Sequence, residues 1–517
     1  MARMSRTQYR GTPPNYQPPE QMISLPLDVI GLDGMDRDSM LNEMPLSLCR
    51  LVRNMAVRKG SYEVRDGTSV VGTQASADLL AVYDIELTDG TVKRIRWKTN
   101  GVERYAAGVW IACGGTAWSG LDQLGIPFAI TGWGDTVLFT CGVGKVFELN
   151  LTTNNLAELT DSPEDVIHLT TFGSRVVATT REGIYWTISK DSTDWTGLGS
   201  GFEDLKSAPG GVSDLPTAVI PITDELAGHI RSGSIWQMTL TGDFDAPFAF
   251  SKLPHKAGSL YPQSCVGTGS SIMCVGDDGA VWLITLQEAI DVGQRVRSII
   301  QEAQYANIFH PGVASWNPRY KEYLLVATSE ATQRVLRYRT EGGQWTEDTF
   351  DFPIRNLSYS LFKDSAVGGI YKPGMLYAMG DTWGYVVRDD PSRNNELYRD
   401  VNNLGIAVVG TFRIETGHIR RTDDGLIKDI YEMILWYKTE WTAVLKFLYS
   451  VDEGATWTNF FDISIASDTP VQQLSLTIPP LSRPYIQLAI SCNATCKLRI
   501  NKFQAWMIES GRSVDAS

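Results

Sequence analysis

The sequence predicts an all-β protein, an irregular β-propeller of six or seven blades followed by a C-terminal β-sandwich. Three observations carry that expectation. From Ala81 onward, short runs rich in Val, Ile, Trp, Tyr and Thr alternate with Gly, Asp and Asn turns, the pattern of strands and tight connections. Helix-length amphipathic patterns are scarce. A loose repeat recurs, in which an apolar strand and a polar turn precede a second strand that opens with Gly and an aromatic or branched residue. The second strands begin at Gly101, Gly144, Gly183, Gly233, Gly279, Arg334 and Gly384, at spacings of 39 to 55 residues. A four-stranded unit of that period cannot bury both faces alone, so blades pack against one another in a ring. Gly starts the strand after a turn, and the aromatic fills the wedge between blades.

The 517 residues suit two or three domains. Residues 1–22 are rich in Pro, Gln and Arg without periodicity and read as an extended N-terminal arm. Residues 23–75 form a lead-in segment, in which Asp38 to Val57 has the pattern of a short helix broken at Pro45. Residues 76–395 hold the propeller. The best helical pattern there is Leu286 to Ala306, weakened by Gly293. The turn-rich stretch Asp389 to Asn395 marks a break. Residues 396–509 continue as strands without the repeat and fit a sandwich, and 510–517 read as a frayed tail.

With 43% hydrophobic residues, 15 Trp and 47 Gly, the chain is neither disordered, collagenous nor a disulfide miniprotein. Its net charge of −13 argues against a general duplex-coating role. The basic N-terminus is followed by no apolar run, so no signal peptide is expected, and no stretch has the length of a transmembrane helix. Seven cysteines without a signal peptide point to free thiols. The Cys492 and Cys496 pair has redox or metal spacing, but on a strand it suits core packing better.

The search for chemistry finds little. The five histidines never lie three to five apart, which excludes helical metal pairs, and each reads as an isolated surface or turn residue. No phosphate-binding loop or nucleophile elbow occurs. The acids Asp28, Asp33, Asp36 and Asp38 fail the EF-hand spacing and read as a solvated loop. No catalytic residue, metal site or cofactor is expected. The sharpest motif is Ser450-Val-Asp452-Glu-Gly454-Ala-Thr-Trp457. It resembles the Asp-box of sialidases and related propellers, whose role is structural: Asp and Gly make a hairpin turn and Trp packs beneath it. Ser189 to Trp195 is a partial copy without the Gly.

Taken in order, these features resemble the tail hub, nozzle and packaged-DNA stabilisation proteins of short-tailed bacteriophages. The segment Asn54-Met-Ala-Val-Arg-Lys-Gly60-Ser-Tyr62-Glu-Val-Arg65-Asp-Gly67 is similar to the family's motif ahead of the first blade. The irregular propeller follows, then the sandwich with its Ser450-to-Trp457 hairpin and a late strand pair over Leu481–Ile490 and Ala494–Trp506. The resemblance implies a non-enzymatic virion protein of the tail, assembled in the host cytoplasm. It would form a cyclic homo-oligomer, a hexamer, below the portal and adaptor rings and in contact with tail fibre or needle proteins. Phage DNA would pass through its acidic channel without tight binding. The arm, with Arg3, Arg6 and Arg10, lies outside the family's pattern and is expected to order only on assembly, against an adjacent subunit or ring. Two other readings stay open: a carbohydrate-binding or glycan-degrading propeller of the tail, and a cellular propeller scaffold.

Overall fold

The computed structural model describes residues 22–24, 33–40, 44–45, 47–58, 60–118, 128–205, 214–305, 312–328, 333–361, 374–379, 384–390, 399–401, 407–409, 411–416, 419–420, 426–439, 442–465, 468–477, 485–493 and 498–513. Among the described residues, seven antiparallel four-stranded blades follow one another; Gly114–Gly115 adds a parallel fifth strand to the second, and the sixth belongs to a larger sheet. Blade 1 runs from Leu79–Glu86 to Val109–Ala112, and blade 2 from Ala129–Trp133 to Asn155–Glu158. Blade 3 runs from His168–Phe172 to Gly201–Asp204, and blade 4 from Pro216–Pro221 to Phe248–Lys252. Blade 5 runs from Val266–Gly267 to Ala289–Asp291, and blade 6 from Ala314–Asn317 to Gln344–Phe350. Blade 7 takes three strands, Ile354–Ser360, Gly374–Met379 and Val386–Asp390, from its own stretch of chain. Its fourth and outermost strand is Gly67–Val71, paired antiparallel from Val386↔Val71 to Asp390↔Gly67. The fold is therefore a seven-bladed β-propeller, closed by a strand that precedes the first blade in sequence.

Period-two patterning explains why the blades stack. The inner strands of a blade are buried on both sides, so neighbouring residues face opposite seams. Val137 and Phe139 join a cluster with blade 1, whereas Leu138 between them packs toward blade 3. Leu324 and Val326 face blade 7, whereas Tyr323 and Leu325 face blade 5. Six of the seven seams have their own apolar cluster, and the seam between blades 5 and 6 shares one with the two-sheet unit. The last of the seven joins Val71, Leu79 and Val82 to Leu376, Ala378 and Val386, which closes the ring between blades 7 and 1. Each fully buried large apolar side chain contributes about 1.5–3 kcal/mol. All seven repeat segments fall on the third strands of the seven blades or just ahead of them. Gly384 shows what the glycine does. Its φ is +44°, and a Cβ there would meet the Ala77 carbonyl oxygen at 2.7 Å.

Beyond the ring, two further sheets face each other across one core. One contains Met55–Arg58, Ser61–Val64, Leu498–Ser513, Leu426–Thr439 and Asp468–Thr477, with Met22–Ser24 paired onto Trp506–Ile508. The other contains Cys49–Arg53, Thr411–Thr416, Tyr485–Asn493, Ala443–Ser450 and Thr458–Ile465. Tyr62, Val64, Met433, Leu435 and Ile500 from the first meet Leu51, Ile414, Leu445, Phe447 and Leu488 from the second. Cys49–Arg53 also touches the outer strand of blade 6, in parallel, at Arg53↔Glu347. One ten-stranded sheet thus runs from the propeller into the two-sheet unit.

Several expectations need correction. Residues 23–75 are no separate segment: Cys49–Val64 joins the two-sheet unit and Gly67–Val71 completes blade 7. The helix expected over Asp38 to Val57 is replaced by strands, because Cys49–Arg53 pairs with Thr411–Thr416. The helix expected over Leu286 to Ala306 reduces to Arg297–Tyr305. Ala289–Asp291 is needed as the fourth strand of blade 5. The final strand runs on to Ser513, into the stretch expected to fray. Two histidines sit within strands, His168 in blade 3 and His229, fully buried, in blade 4. Asp36 and Asp38 do serve the backbone. Asp36 Oδ1 accepts from the Ser39 N–H at 2.9 Å. Asp38 accepts from the Ser298 N–H in the first turn of the helix, at 3.1 Å.

Candidate functional site: the clasp that closes the propeller

The densest polar constellation lies where the chain leaves the two-sheet unit and enters blade 7. Asn54 ends one strand with φ 56°, in the left-handed region that Asn tolerates better than most residues. Its Oδ1 accepts from the Thr349 N–H at 2.8 Å and from Arg65 Nε at 3.2 Å. Its Nδ2 donates to the Thr411 carbonyl at 2.6 Å and to Thr349 Oγ1 at 3.2 Å. One side chain therefore ties together the outer strand of blade 6, the strand Thr411–Thr416 of the two-sheet unit and Arg65.

Gly60, at φ 71°, turns the hairpin that brings Arg65 back alongside Asn54. The Arg65 guanidinium is 2% exposed and lies 4.4 Å over the Phe350 ring. It donates to the carbonyls of Asp66 and Thr349 and faces Asp348 Oδ1 at 3.7 Å. Asp348 Oδ2 in turn accepts from Arg337 at 2.5 Å, and Arg337 donates to Glu322 at 2.5 Å. Glu322, Arg337 and Asp348 occupy the second, third and fourth strands of blade 6, so the row crosses the sheet. Burial works against the Arg337 charge, yet Asp348 and Glu322 outweigh it and hold the guanidinium firmly protonated. Two cations and two carboxylates are matched, which is the condition for burying them at all.

Asp389 adds a proton-sensitive edge. Its carboxylate accepts from the Tyr377 hydroxyl at 3.0 Å and the Met375 N–H at 3.1 Å. Burial first, and the neighbouring Asp66 second, push its pKa up to about 7, with Arg337 and Arg65 pulling the other way. The opposite face of blade 7, toward blade 1, is also polar along its first strand. On the first strand of blade 7, Asn356 Oδ1 accepts from the Val82 N–H, Ser358 donates to the Val82 carbonyl, and Ser360 donates to Asp84 at 2.6 Å. Arg94 grips Asp84 with two bonds, at 2.7 and 2.9 Å, and reaches Ser360 as well. Blade 7 is thus held by polar contacts toward blade 6 on one face and toward blade 1 on the other, beside a separate apolar cluster on each.

The Asp-box-like hairpin takes the expected form. Ser450 Oγ donates to Asp452 Oδ1 at 2.7 Å and accepts from the Gly454 N–H at 2.9 Å. Asp452 Oδ1 accepts from the Thr456 N–H at 2.9 Å, and Gly454 has φ 84°. These hydrogen bonds, the Thr456 hydroxyl first, pull the Asp452 carboxyl down to about 2. Trp457 lies against Gly454, with the Arg413 guanidinium 4.8 Å above its ring. In the partial copy, Asp191 makes the turn with Thr193, and Trp195 packs into the seam between blades 2 and 3. Arg3, Arg6 and Arg10 lie outside the described residues, as do Cys496, His310 and His418. Cys492 is buried in the core of the two-sheet unit.

Sequence reasoning found Asn54 and Arg65 as motif positions but not their partners Glu322, Arg337 and Asp348. The available signal was charge on strands otherwise apolar, in Glu322-Tyr-Leu-Leu and Arg334-Val-Leu-Arg337. Among the described residues no group of three His, Cys, Asp or Glu could hold a metal ion. Neither the clasp nor the hairpin presents a nucleophile beside a base, and the cluster is spent on internal pairing.

These features define a seven-bladed propeller fused to a two-sheet unit through a buried ionic clasp. No protein-family model matches the chain, and no curated protein matches its sequence. Among solved structures it is similar to the WD40 β-propeller domain of Doa1, at 10% identity and a TM-score of 0.40, over 63% of this chain and 98% of that one. It is also similar to the computationally designed Ika8 protein, at 12% identity and a TM-score of 0.37, over 62% of this chain and 99% of that one. Among the described residues, no helix is long and apolar enough to cross a membrane.

Proposed function

We propose that the chain is a bacteriophage virion structural protein, forming a ring in a short tail as hub or nozzle. In that role it continues and closes the DNA channel below portal and adaptor. The observation that carries the reading is the double duty of the motif ahead of the first blade. Its Asn54 and Arg65, the positions that resemble the phage tail motif, bond to each other and to blade 6, and its Gly67 opens the strand that closes blade 7. The motif is thus structural in a way that requires both a propeller and a following two-sheet unit, the order shared with that family. A net charge of −13 suits a wall that DNA slides past, since like charge repels phosphate.

Complementation is the test. A phage lacking this gene should make DNA-filled heads that recover infectivity when the purified protein is added, with the protein retained on the particles. Heads that neither bind the protein nor gain infectivity would refute the role. Turnover of host polysaccharide by the purified chain would favour a glycan-degrading propeller instead.

A further inference from the structure

One face of the propeller carries an arc of apolar residues that stay exposed among the described residues. In an antiparallel four-stranded blade, the loop joining third and fourth strands always lies at the same end. In blades 3, 4 and 5 that loop ends in an exposed apolar residue: Leu198 at 82% exposure, Phe244 at 49% and Leu286 at 37%. Phe244 leans across the seam onto Gly199, where a Cβ would touch its ring, so the tips of blades 3 and 4 form one surface. Phe202 and Ile290, on the outermost strands of blades 3 and 5, extend the arc down the rim. Exposed apolar residues clustered in this way mark interaction sites on soluble proteins.

The chemistry around the arc is acidic. The three loops, residues 187–200, 241–247 and 285–288, hold Asp191, Asp194, Asp243, Asp245 and Glu288 against the single cation Lys190. Glu203 is exposed beside Phe202. The first 21 residues of the chain have the opposite character. They carry Arg3, Arg6 and Arg10 against Glu20, with two Tyr and two Pro-Pro steps. Proline-rich segments dock on aromatic surfaces at low entropic cost, and arginines next to them favour carboxylates. At about 3.1 Å per residue the arm spans roughly 65 Å when extended.

The root of the arm and the arc belong to different units of the fold. Met22–Ser24 is held on the two-sheet unit, which is attached at blade 6, whereas the arc covers blades 3 to 5. Two unlike complementary faces on one chain are what a head-to-tail ring needs. We propose that the arc on blades 3 to 5 is the docking site for the N-terminal arm of a second copy of this chain. The proposal deepens the ring reading above and rests on it for the choice of a second copy.

The test uses the full chain, prepared in light and heavy isotope forms, with photo-reactive benzoylphenylalanine replacing Tyr9 in the light form only. Irradiation of the mixture should give light-to-heavy cross-links to the loops 187–200, 241–247 and 285–288. Leu198→Asp with Phe244→Asp should cut the yield about tenfold, as loss of central apolar anchors does. Asp243→Lys with Asp245→Lys, which leaves the apolar residues in place, should cut it as well and serves if the first pair impairs folding. Cross-links confined to one copy, cross-links elsewhere, or yields unchanged in both variants would overturn the proposal. Closed rings without these cross-links would refute the docking site and spare the ring. Light-to-heavy cross-links at the arc in open assemblies would support the docking site and refute the ring.

Discussion

Replacing Arg65 with methionine should destabilise the whole molecule, not only its N-terminal strands. Methionine keeps much of the contact over Phe350 but removes the bonds to the Asn54 side chain and to the Asp66 and Thr349 carbonyls. It also removes the cation nearest Asp348 Oδ1, which has no hydrogen-bond donor of its own. Breaking one side of a buried ion pair costs about 3–5 kcal/mol. Arg337 still neutralises Asp348 through Oδ2, which places the expected loss at the lower end, about 3 kcal/mol. Urea unfolding followed by tryptophan fluorescence measures it, since Trp97 and Trp345 report blades 1 and 6 from fully buried positions. Arg65→Lys should recover part of the loss, because a lysine supplies the charge but not the fork that reaches several acceptors. A loss below about 1 kcal/mol for Arg65→Met would show that the clasp does not hold the ring closed, and would refute the reasoning.

Other perturbations test other parts of the structure. The Asp389 pKa is raised in the folded state, so the folded form binds the extra proton and stability falls as pH rises from about 4 to about 7. Asp389→Asn should flatten that slope by about 2–4 kcal/mol across the window, read from melts at pH 4.5 and 8. His229 behaves in the opposite sense. Burial, with Arg231 second, lowers its pKa to about 3, so the unfolded chain takes up the proton first and stability is lost as pH falls from about 6.5. His229→Leu should therefore melt higher than wild type at pH 5 by more than it does at pH 8. Asp452→Ala should lower the hydrogen-exchange protection factor of the Thr456 amide at neutral pH, because the Asp452 carboxylate accepts from that amide. Val70→Pro should open blade 7 at its outer edge, since proline cannot donate to the ladder opposite Val387, and limited proteolysis should then cut near residues 72–78.

The propeller was legible because its signal is local and repeated. Glycine before a strand with an aromatic or branched residue recurs in six of the seven units, the copy at Arg334 lacking it, and each such strand became the third of its blade. The closing strand Gly67–Val71 was not legible in the same way. Its partner Val386–Asp390 lies more than 300 residues away, and nothing in Gly-Thr-Ser-Val-Val says where an edge strand will pair. The same distance defeated the helix expected near Cys49, whose strand is fixed by Thr411–Thr416. At Leu286 to Ala306 the helical periodicity was real but half of it was overruled. Gly293 lies against blade 5, where a Cβ would stand 2.5 Å from the Val281 nitrogen, and the helix starts only after it. Of the candidate site, the hairpin from Ser450 to Trp457 was read correctly because its bonds span at most four residues. The clasp was read only in part. Asn54 and Arg65 stand out by spacing, while Glu322, Arg337 and Asp348 are charged residues on buried strands whose meeting depends on the ring.

The ring itself is tested most directly by the mass of the assembled protein, measured by native mass spectrometry with and without the portal and adaptor complex. A closed ring of six copies of the 57.2 kDa chain, seated on the adaptor, is the expected result. A single 57.2 kDa chain in both conditions would contradict it.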